Sequence, residues 1–220
     1  MTVRRVASWN CKVGRGDDAV GDGLRELIAD HDPDVICLQE GMHYVDMLRH
    51  RFDGWFVYAR GGWPESDNCP VMVRKNGREK KEYGDGFNTL RYTTKWVGPQ
   101  GGAHDGRTWT YVNVDGITVM SLHRCTGGKD KNAEAFYDEY QKLTAFLKDR
   151  EKPVVIFGDH NCGPSKTFKG ASKNVATDTE SKISHDGGID YVIRRGIKGT
   201  VKHGKAYGSD HECAVFTVTE

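Results

Sequence analysis

The chain has 220 residues, with 32 Lys plus Arg against 31 Asp plus Glu and a formal net charge of +1. Charged residues make up 29% of it and aromatic ones 10%, which excludes a disordered polyelectrolyte and supplies enough apolar material for a sizeable core. No run approaches the ~18 apolar residues of a membrane span, and the start MTVRRVASWN lacks the apolar stretch of a secretory signal, so a cytoplasmic protein is expected.

An extended segment at Val3–Cys11 opens the chain, followed by a helix over Asp17–Ala29, where Val20, Leu24, Leu27 and Ile28 recur at helical spacing. The apolar run Val35–Leu38 reads as a buried strand, Tyr44–Arg51 as a short helix, and Trp55–Ala59 and Pro70–Arg74 as short strands. Leu90–Val97, Trp109–Val114 and Ile117–His123 are further strands, the last two joined by the Asp115-Gly116 hairpin signal. Lys131–Arg150 carries the strongest amphipathic pattern, with Ala135, Phe136, Tyr140, Leu143, Phe146 and Leu147 on one stripe, and leads into the strand Val154–Phe157. Ile189–Ile193 and Cys213–Val218 are the last apolar strands, with a polar extended region between them; Gly61–Pro70 and Gly98–Gly106 read as loops. No repeat or linker divides the chain, so one domain over residues 1–220 is expected, of α/β or α+β class with at least one sheet buried on both faces. The six cysteines stand singly, with no C-x-x-C pair, which speaks for reduced thiols and against a zinc ribbon.

Polar residues cluster where the apolar strands end: Ser8-Trp9-Asn10, Gln39-Glu40, Ser121-Leu122-His123, Gly158-Asp159-His160-Asn161, Ile189-Asp190-Tyr191 and Ser209-Asp210-His211. Strand ends and the loops after them are where a rigid sheet presents reactive groups, so six such clusters predict one convergent site. Any one of them alone would be an ordinary turn or cap. His123 stands out because it follows the apolar run Val119–Leu122, where an unpaired imidazole carries a desolvation cost.

Taken in this order, SWN at 8–10, LQE at 38–40, SLH at 121–123, GDHN at 158–161, IDY at 189–191 and SDH at 209–211 resemble the endonuclease/exonuclease/phosphatase superfamily with its deoxyribonuclease I-like fold. The resemblance implies a four-layered α/β sandwich of two mixed sheets packed face to face and flanked by helices. It also implies a phosphoesterase site using Mg²⁺ or Mn²⁺, with Glu40 as principal metal ligand assisted by Asn10 and Asp210. Hard oxygen donors suit such ions. By the same resemblance Asp159 orients the attacking water, Asn161 supports the phosphate or the metal, His211 contacts the phosphate, and Asp190 holds His211. His123 would assist the leaving oxygen as an acid, although no acidic partner for it is found in Val71–Lys75. Arg107 is similar in placement to a phosphate-binding arginine of the family, and Arg124, which follows His123 directly, is expected with it at the substrate.

Ser121-Leu122-His123-Arg124 departs from the segment of abasic-site endonucleases, and Phe157-Gly158-Asp159-His160-Asn161 departs from that of inositol polyphosphate 5-phosphatases. Charge points the same way as the motifs. Residues 191–209 hold Arg194, Arg195, Lys198, Lys202 and Lys205 with no acid, residues 160–175 hold Lys166, Lys169 and Lys173 with no acid, and Lys129 and Lys131 follow His123. An acidic site rimmed by basic side chains fits a polyanion. The expected activity is therefore metal-dependent hydrolysis of nucleic acid, with DNA as substrate and little sequence selectivity, by a monomer needing neither membrane nor protein partner. A phosphatase or phosphodiesterase for a small phosphorylated metabolite is the alternative, and a relative that only binds is a third.

Overall fold

The computed structural model describes residues 3–59, 68–76, 88–91, 96–97, 103–104, 107–125, 133–149, 153–161, 176–178 and 190–219. In chain order the elements are β1 (Arg5–Asn10), α1 (Asp17–His31), β2 (Val35–Gln39), a 3-10 turn at Met42–Tyr44 and α2 (Val45–Arg51). Then follow β3 (Trp55–Tyr58), β4 (Asn68–Cys69), β5 (Val71–Arg74), β6 (Asn88–Arg91), β7 (Trp96–Val97), β8 (Ala103–His104), β9 (Thr108–Val114) and β10 (Ile117–His123). The rest are α3 (Ala133–Asp149), β11 (Val154–Asp159), β12 (Ala176–Asp178), β13 (Asp190–Arg195), β14 (Lys198–His203) and β15 (Ala214–Thr219).

Two sheets carry the fold. The first runs β14-β15-β1-β2-β5-β3 and the second β12-β13-β11-β10-β9-β4, with β6 also on β9; β7 and β8 pair separately. Both sheets are mixed: β1 is parallel to β2 and antiparallel to β15, while β10 is parallel to β11 and antiparallel to β9. Side chains alternate between faces along a strand. Val35 and Cys37 therefore join the core between the sheets with Val119, Val155, Phe157, Val192 and Phe216. Their neighbours Ile36 and Leu38 face outward and pack with Val20, Leu24 and Leu27 of α1. On the other side Met120, Leu122, Val154 and Ile156 pack under Ala135, Leu143, Phe146 and Leu147 of α3. The result is the helix–sheet–sheet–helix sandwich that the family resemblance implies.

The structure departs from the sequence reading in two strands. The two described ends of Leu90–Val97 belong to different sheets, Leu90 and Arg91 to β6 on β9 and Trp96–Val97 to β7 on β8, while residues 92–95 lie outside the described residues. β14, in the region read as polar and extended, is an edge strand with mostly exposed side chains, so it lacks the apolar alternation that marks a half-buried strand. The Phe136 and Tyr140 side chains and the loop segments 60–67, 98–102 and 105–106 lie outside the described residues.

The inner faces change character along each strand. Val6, Ser8 and Asn10 follow one another on that face of β1, Val35, Cys37 and Gln39 on β2, Val119, Ser121 and His123 on β10, and Val155, Phe157 and Asp159 on β11. A buried polar bridge marks the transition: the Ser8 hydroxyl donates to Gln39 Oε1 at 3.2 Å, Gln39 Nε2 to the Ser121 hydroxyl at 3.1 Å, and that hydroxyl to the Leu38 carbonyl at 2.8 Å. Each donor in this intersheet chain has an acceptor, which removes the cost of burying it. Above it the polar residues open into a site.

Candidate active site

Strand register assembles the second sheet's share of the site. His123 pairs with Asp159 across β10 and β11, and Asp159 with Asp190 across β11 and β13, so one rung carries all three. They are 5%, 3% and 7% exposed. The rung needs Gly158 beside it, because a Cβ there would lie 1.8 Å from the Leu122 carbonyl oxygen. His123 Nε2 lies 3.4 Å from Asp159 Oδ2, which supplies the acidic partner absent from Val71–Lys75. His123 Nδ1 is buried and finds no partner among the described residues.

His211, delivered by the turn before β15, completes this wall with a 2.7 Å hydrogen bond between its Nδ1 and Asp190 Oδ2. Burial disfavours the imidazolium, but the Asp190 hydrogen bond and the charges of Asp190, Asp159 and Asp210 outweigh it and raise its pKa to about 9. Burial and the charge of Asp159 push Asp190 up to about 6. For Asp159 burial also acts upward, yet the hydrogen bond and charge of His123 and the charge of His211 bring it down to about 2. At neutral pH the wall thus holds two carboxylates and a charged His211. One oxygen from each carboxylate and one nitrogen of His211 lie within 4.8 Å of one another, close enough to hold an ion.

The first sheet supplies the facing wall. Asn10 Nδ2 donates to Glu40 Oε1 at 3.3 Å and to Asp159 Oδ2 at 3.4 Å, tying the two walls together. Asn10 Oδ1 accepts the Lys12 N–H at 3.1 Å, and Glu40 Oε2 accepts the Val13 N–H at 2.7 Å. Asn10 therefore presents its amino group, not its oxygen, to the carboxylates. Asp210 Oδ2 takes the Lys12 ammonium at 2.9 Å, and its Oδ1 lies 4.0 Å from His211 Nε2. Glu40 (φ +56°) and Asn161 (φ +50°) both sit in the left-handed region, a conformation that ends the strand alternation and re-aims the side chain.

Asn161 serves as a brace. Its N–H donates to Asp159 Oδ1 at 2.9 Å and its Nδ2 to the Arg124 carbonyl at 2.7 Å. Arg124 and Arg107, expected at the substrate, are buried at 0% and 3% exposure. Arg124 Nε donates to Glu139 Oε2 at 3.2 Å, Glu139 Oε1 accepts the Cys125 N–H at 2.8 Å, and the Arg107 guanidinium donates to the Arg124 carbonyl. Both arginines stand behind the wall rather than on its surface. Glu139 and Lys12 are the polar residues that sequence reading missed. The first was detectable as an acid on the apolar stripe of α3, between Ala135 and Leu143; the second only as a lysine two residues beyond Asn10.

The basic rim is also corrected by register. Arg194 and Arg195 pair with Val155 and Val154, ~13–17 Å along β13 from Asp190. Lys198 pairs with Thr219 at the far end of β14, and Lys205 forms an ion pair with Asp30 at 2.9 Å. Lys129, Lys131, Lys166, Lys169 and Lys173 lie outside the described residues, as does Cys162. The other five cysteines are buried. Burial raises the Cys11 and Cys125 thiols, which keeps them protonated and weak as nucleophiles.

A family model described as "Endonuclease/Exonuclease/phosphatase family" matches residues 7–211. No curated protein matches the sequence. Among solved structures, D. rerio TDP2 complexed with a single strand DNA product superimposes with a TM-score of 0.70 at 15% identity, covering 100% of both chains. The human Nocturnin catalytic domain with bound sulfate gives 0.66 at 18% identity, covering 99% of this chain and 94% of that one. A mannosyl-6-phosphatase of Bacteroides thetaiotaomicron gives 0.62 at 15%, covering 99% and 100%. At these identities the likeness is one of fold.

Proposed function

The chain belongs to the endonuclease/exonuclease/phosphatase family of hydrolytic phosphoesterases, and on that premise we propose that it hydrolyses phosphodiester bonds of nucleic acid, with DNA as substrate, by in-line attack of water. The observation that carries this reading is the rung His123–Asp159–Asp190 with His211 hydrogen-bonded to its end and Glu40 facing it. Ionised Asp159, braced by Asn161, orients the attacking water. His211, kept charged by Asp190, stabilises the negative charge that grows on the phosphoryl oxygens. His123 is the proton donor to the leaving oxygen. The chain acts as one domain and as a monomer.

The residues fit a hard divalent cation. Magnesium-type ions keep several waters and bind through one or two carboxylates plus substrate phosphate, and Glu40 is such a carboxylate, half-buried and steadied by Asn10 and the Val13 N–H. Mg²⁺ or Mn²⁺ held there would neutralise phosphate charge and polarise the phosphorus centre. Arg107 and Arg124 act at one remove: the Arg124 carbonyl, next to His123, accepts both the Arg107 guanidinium and the Asn161 side-chain amide.

A second reading, hydrolysis of a small phosphoester, is favoured by the placement of Arg194, Arg195 and Lys198 away from the site. Salt separates the two. Supercoiled plasmid, linear DNA, RNA and a panel of phosphomonoesters are each incubated with Mg²⁺ or Mn²⁺ at 50 and 200 mM salt. A nucleic-acid enzyme with two or more phosphate contacts cleaves plasmid and loses about tenfold or more in kcat/KM across that range. Phosphate release from monoesters with intact DNA and a shallow salt response would move the second reading ahead.

A further inference from the structure

We infer that Glu139 is a positioning residue of the site: from α3 it fixes residues 123–125, and through them the Asn161 side chain beside Asp159. The inference rests on the phosphoesterase reading and deepens it, by adding a residue that touches no reacting atom. Glu139 interrupts the apolar stripe of α3, between Ala135 and Leu143, and is fully buried. Stability alone does not call for a carboxylate there. A buried ion pair repays its desolvation only in part, and well-packed apolar side chains of similar volume commonly serve a core as well or better. Buried polar groups that break a local rule in this way are expected where function is built.

The polar contacts of Glu139 all lead to one stretch of chain. Its Oε1 accepts the Cys125 N–H at 2.8 Å, and its Oε2 accepts Arg124 Nε at 3.2 Å and the Cys125 thiol at 3.4 Å. The same stretch is tied to the strands that carry the site. The Arg124 N–H donates to the Asp159 carbonyl at 2.9 Å, and Trp109 Nε1 to the His123 carbonyl at 3.1 Å. The Arg124 carbonyl is thereby aimed at Asn161, whose Nδ2 donates to it at 2.7 Å. Asn161 in turn holds Asp159 Oδ1 with its own N–H at 2.9 Å, from left-handed backbone at φ +50°. The peptide that anchors the Asn161 side chain is thus the one whose N–H, on Cys125, is held by Glu139. Such placement matters to rate, since a misplacement of about 1 Å can cost about a hundredfold.

The test is a double-variant cycle on the full chain. kcat and KM are measured for Glu139→Gln, Asn161→Ala and the two together, on supercoiled plasmid with Mg²⁺, or on a phosphomonoester if that is what the native protein hydrolyses. Glu139→Gln keeps the volume and one acceptor oxygen but removes the charge that holds Arg124. It is expected to lower kcat about tenfold with KM within about twofold, and to lower kcat by less than about twofold in the Asn161→Ala background, where nothing is left to position. Equal losses in both backgrounds, or native kcat in Glu139→Gln, would overturn the inference. Arg124→Met with Glu139→Met removes both charges together and guards against a stranded one. A native-like unfolding midpoint with kcat still lowered about tenfold agrees with positioning, and native kcat overturns it. A third readout needs no substrate: hydrogen exchange of the Asn161 side-chain amide by NMR should quicken about tenfold or more in Glu139→Gln, and unchanged exchange would contradict the inference. If the native protein hydrolyses no phosphoester, the phosphoesterase reading fails by itself, and that amide still decides whether Glu139 holds Asn161.

Discussion

The two walls of the site differ in how they hold charge. On the second-sheet wall Asp159, Asp190 and His123 are buried, and behind them Arg124 and Glu139 form an ion pair with neither side chain exposed. On the first-sheet wall the Lys12–Asp210 pair has side chains 50% and 37% exposed, and Glu40 is half-buried. An exposed pair contributes about 0–1 kcal/mol and exchanges partners readily. Removing one partner of a buried pair costs about 3–5 kcal/mol, because the other charge is stranded. One wall is therefore fixed before substrate arrives, which favours stabilisation of charge in the transition state. The other can trade Asp210 or water for a phosphate oxygen.

Substitutions that break the fixed wall are expected to have the largest effects. Gly158→Ala forces a Cβ onto the Leu122 carbonyl and should cost about 4 kcal/mol or more, read as a lowered urea midpoint or as insoluble expression. Glu139→Ala leaves the Arg124 guanidinium without its buried carboxylate and should cost about 3–5 kcal/mol in the same unfolding experiment.

A milder probe sharpens the contrast through pH. In the metal-free protein the His211 imidazole should titrate at about 9 by NMR, and Asp190→Asn should move it down, since burial then meets less opposition. The sign for stability follows. A raised histidine pKa gives stabilisation that is full below the ordinary value of 6.5 and is lost as pH rises through about 9. Asp190→Asn should flatten that loss. On the open wall Lys12→Met should change stability by less than about 1 kcal/mol.

The layers and the identity of the rung were legible before the structure. Val35–Leu38 alternates between two apolar faces, which only a strand covered on both sides requires. The polar clusters end the apolar runs, and so mark one end of the sheets. Partnerships across strands were not legible, because register decides them: Asp159 reaches His123 through β10–β11 pairing, 36 positions away in the chain. Charge runs misled for the same reason. Arg194 and Arg195 are near Asp190 in sequence, but a strand carries them to the opposite end of the sheet. Arg124 was expected at the substrate because nothing beside it in the sequence announces Glu139 as its partner.

The central claim is that the buried rung and His211 perform metal-dependent phosphoester hydrolysis. It is tested most directly by the rate of supercoiled plasmid nicking with Mg²⁺ or Mn²⁺, beside EDTA and a His211→Ala variant of unchanged unfolding midpoint. Nicking that EDTA abolishes and that His211→Ala slows by about a hundredfold or more agrees with the account. Nicking that persists in EDTA, or that His211→Ala leaves at the native rate, would contradict it.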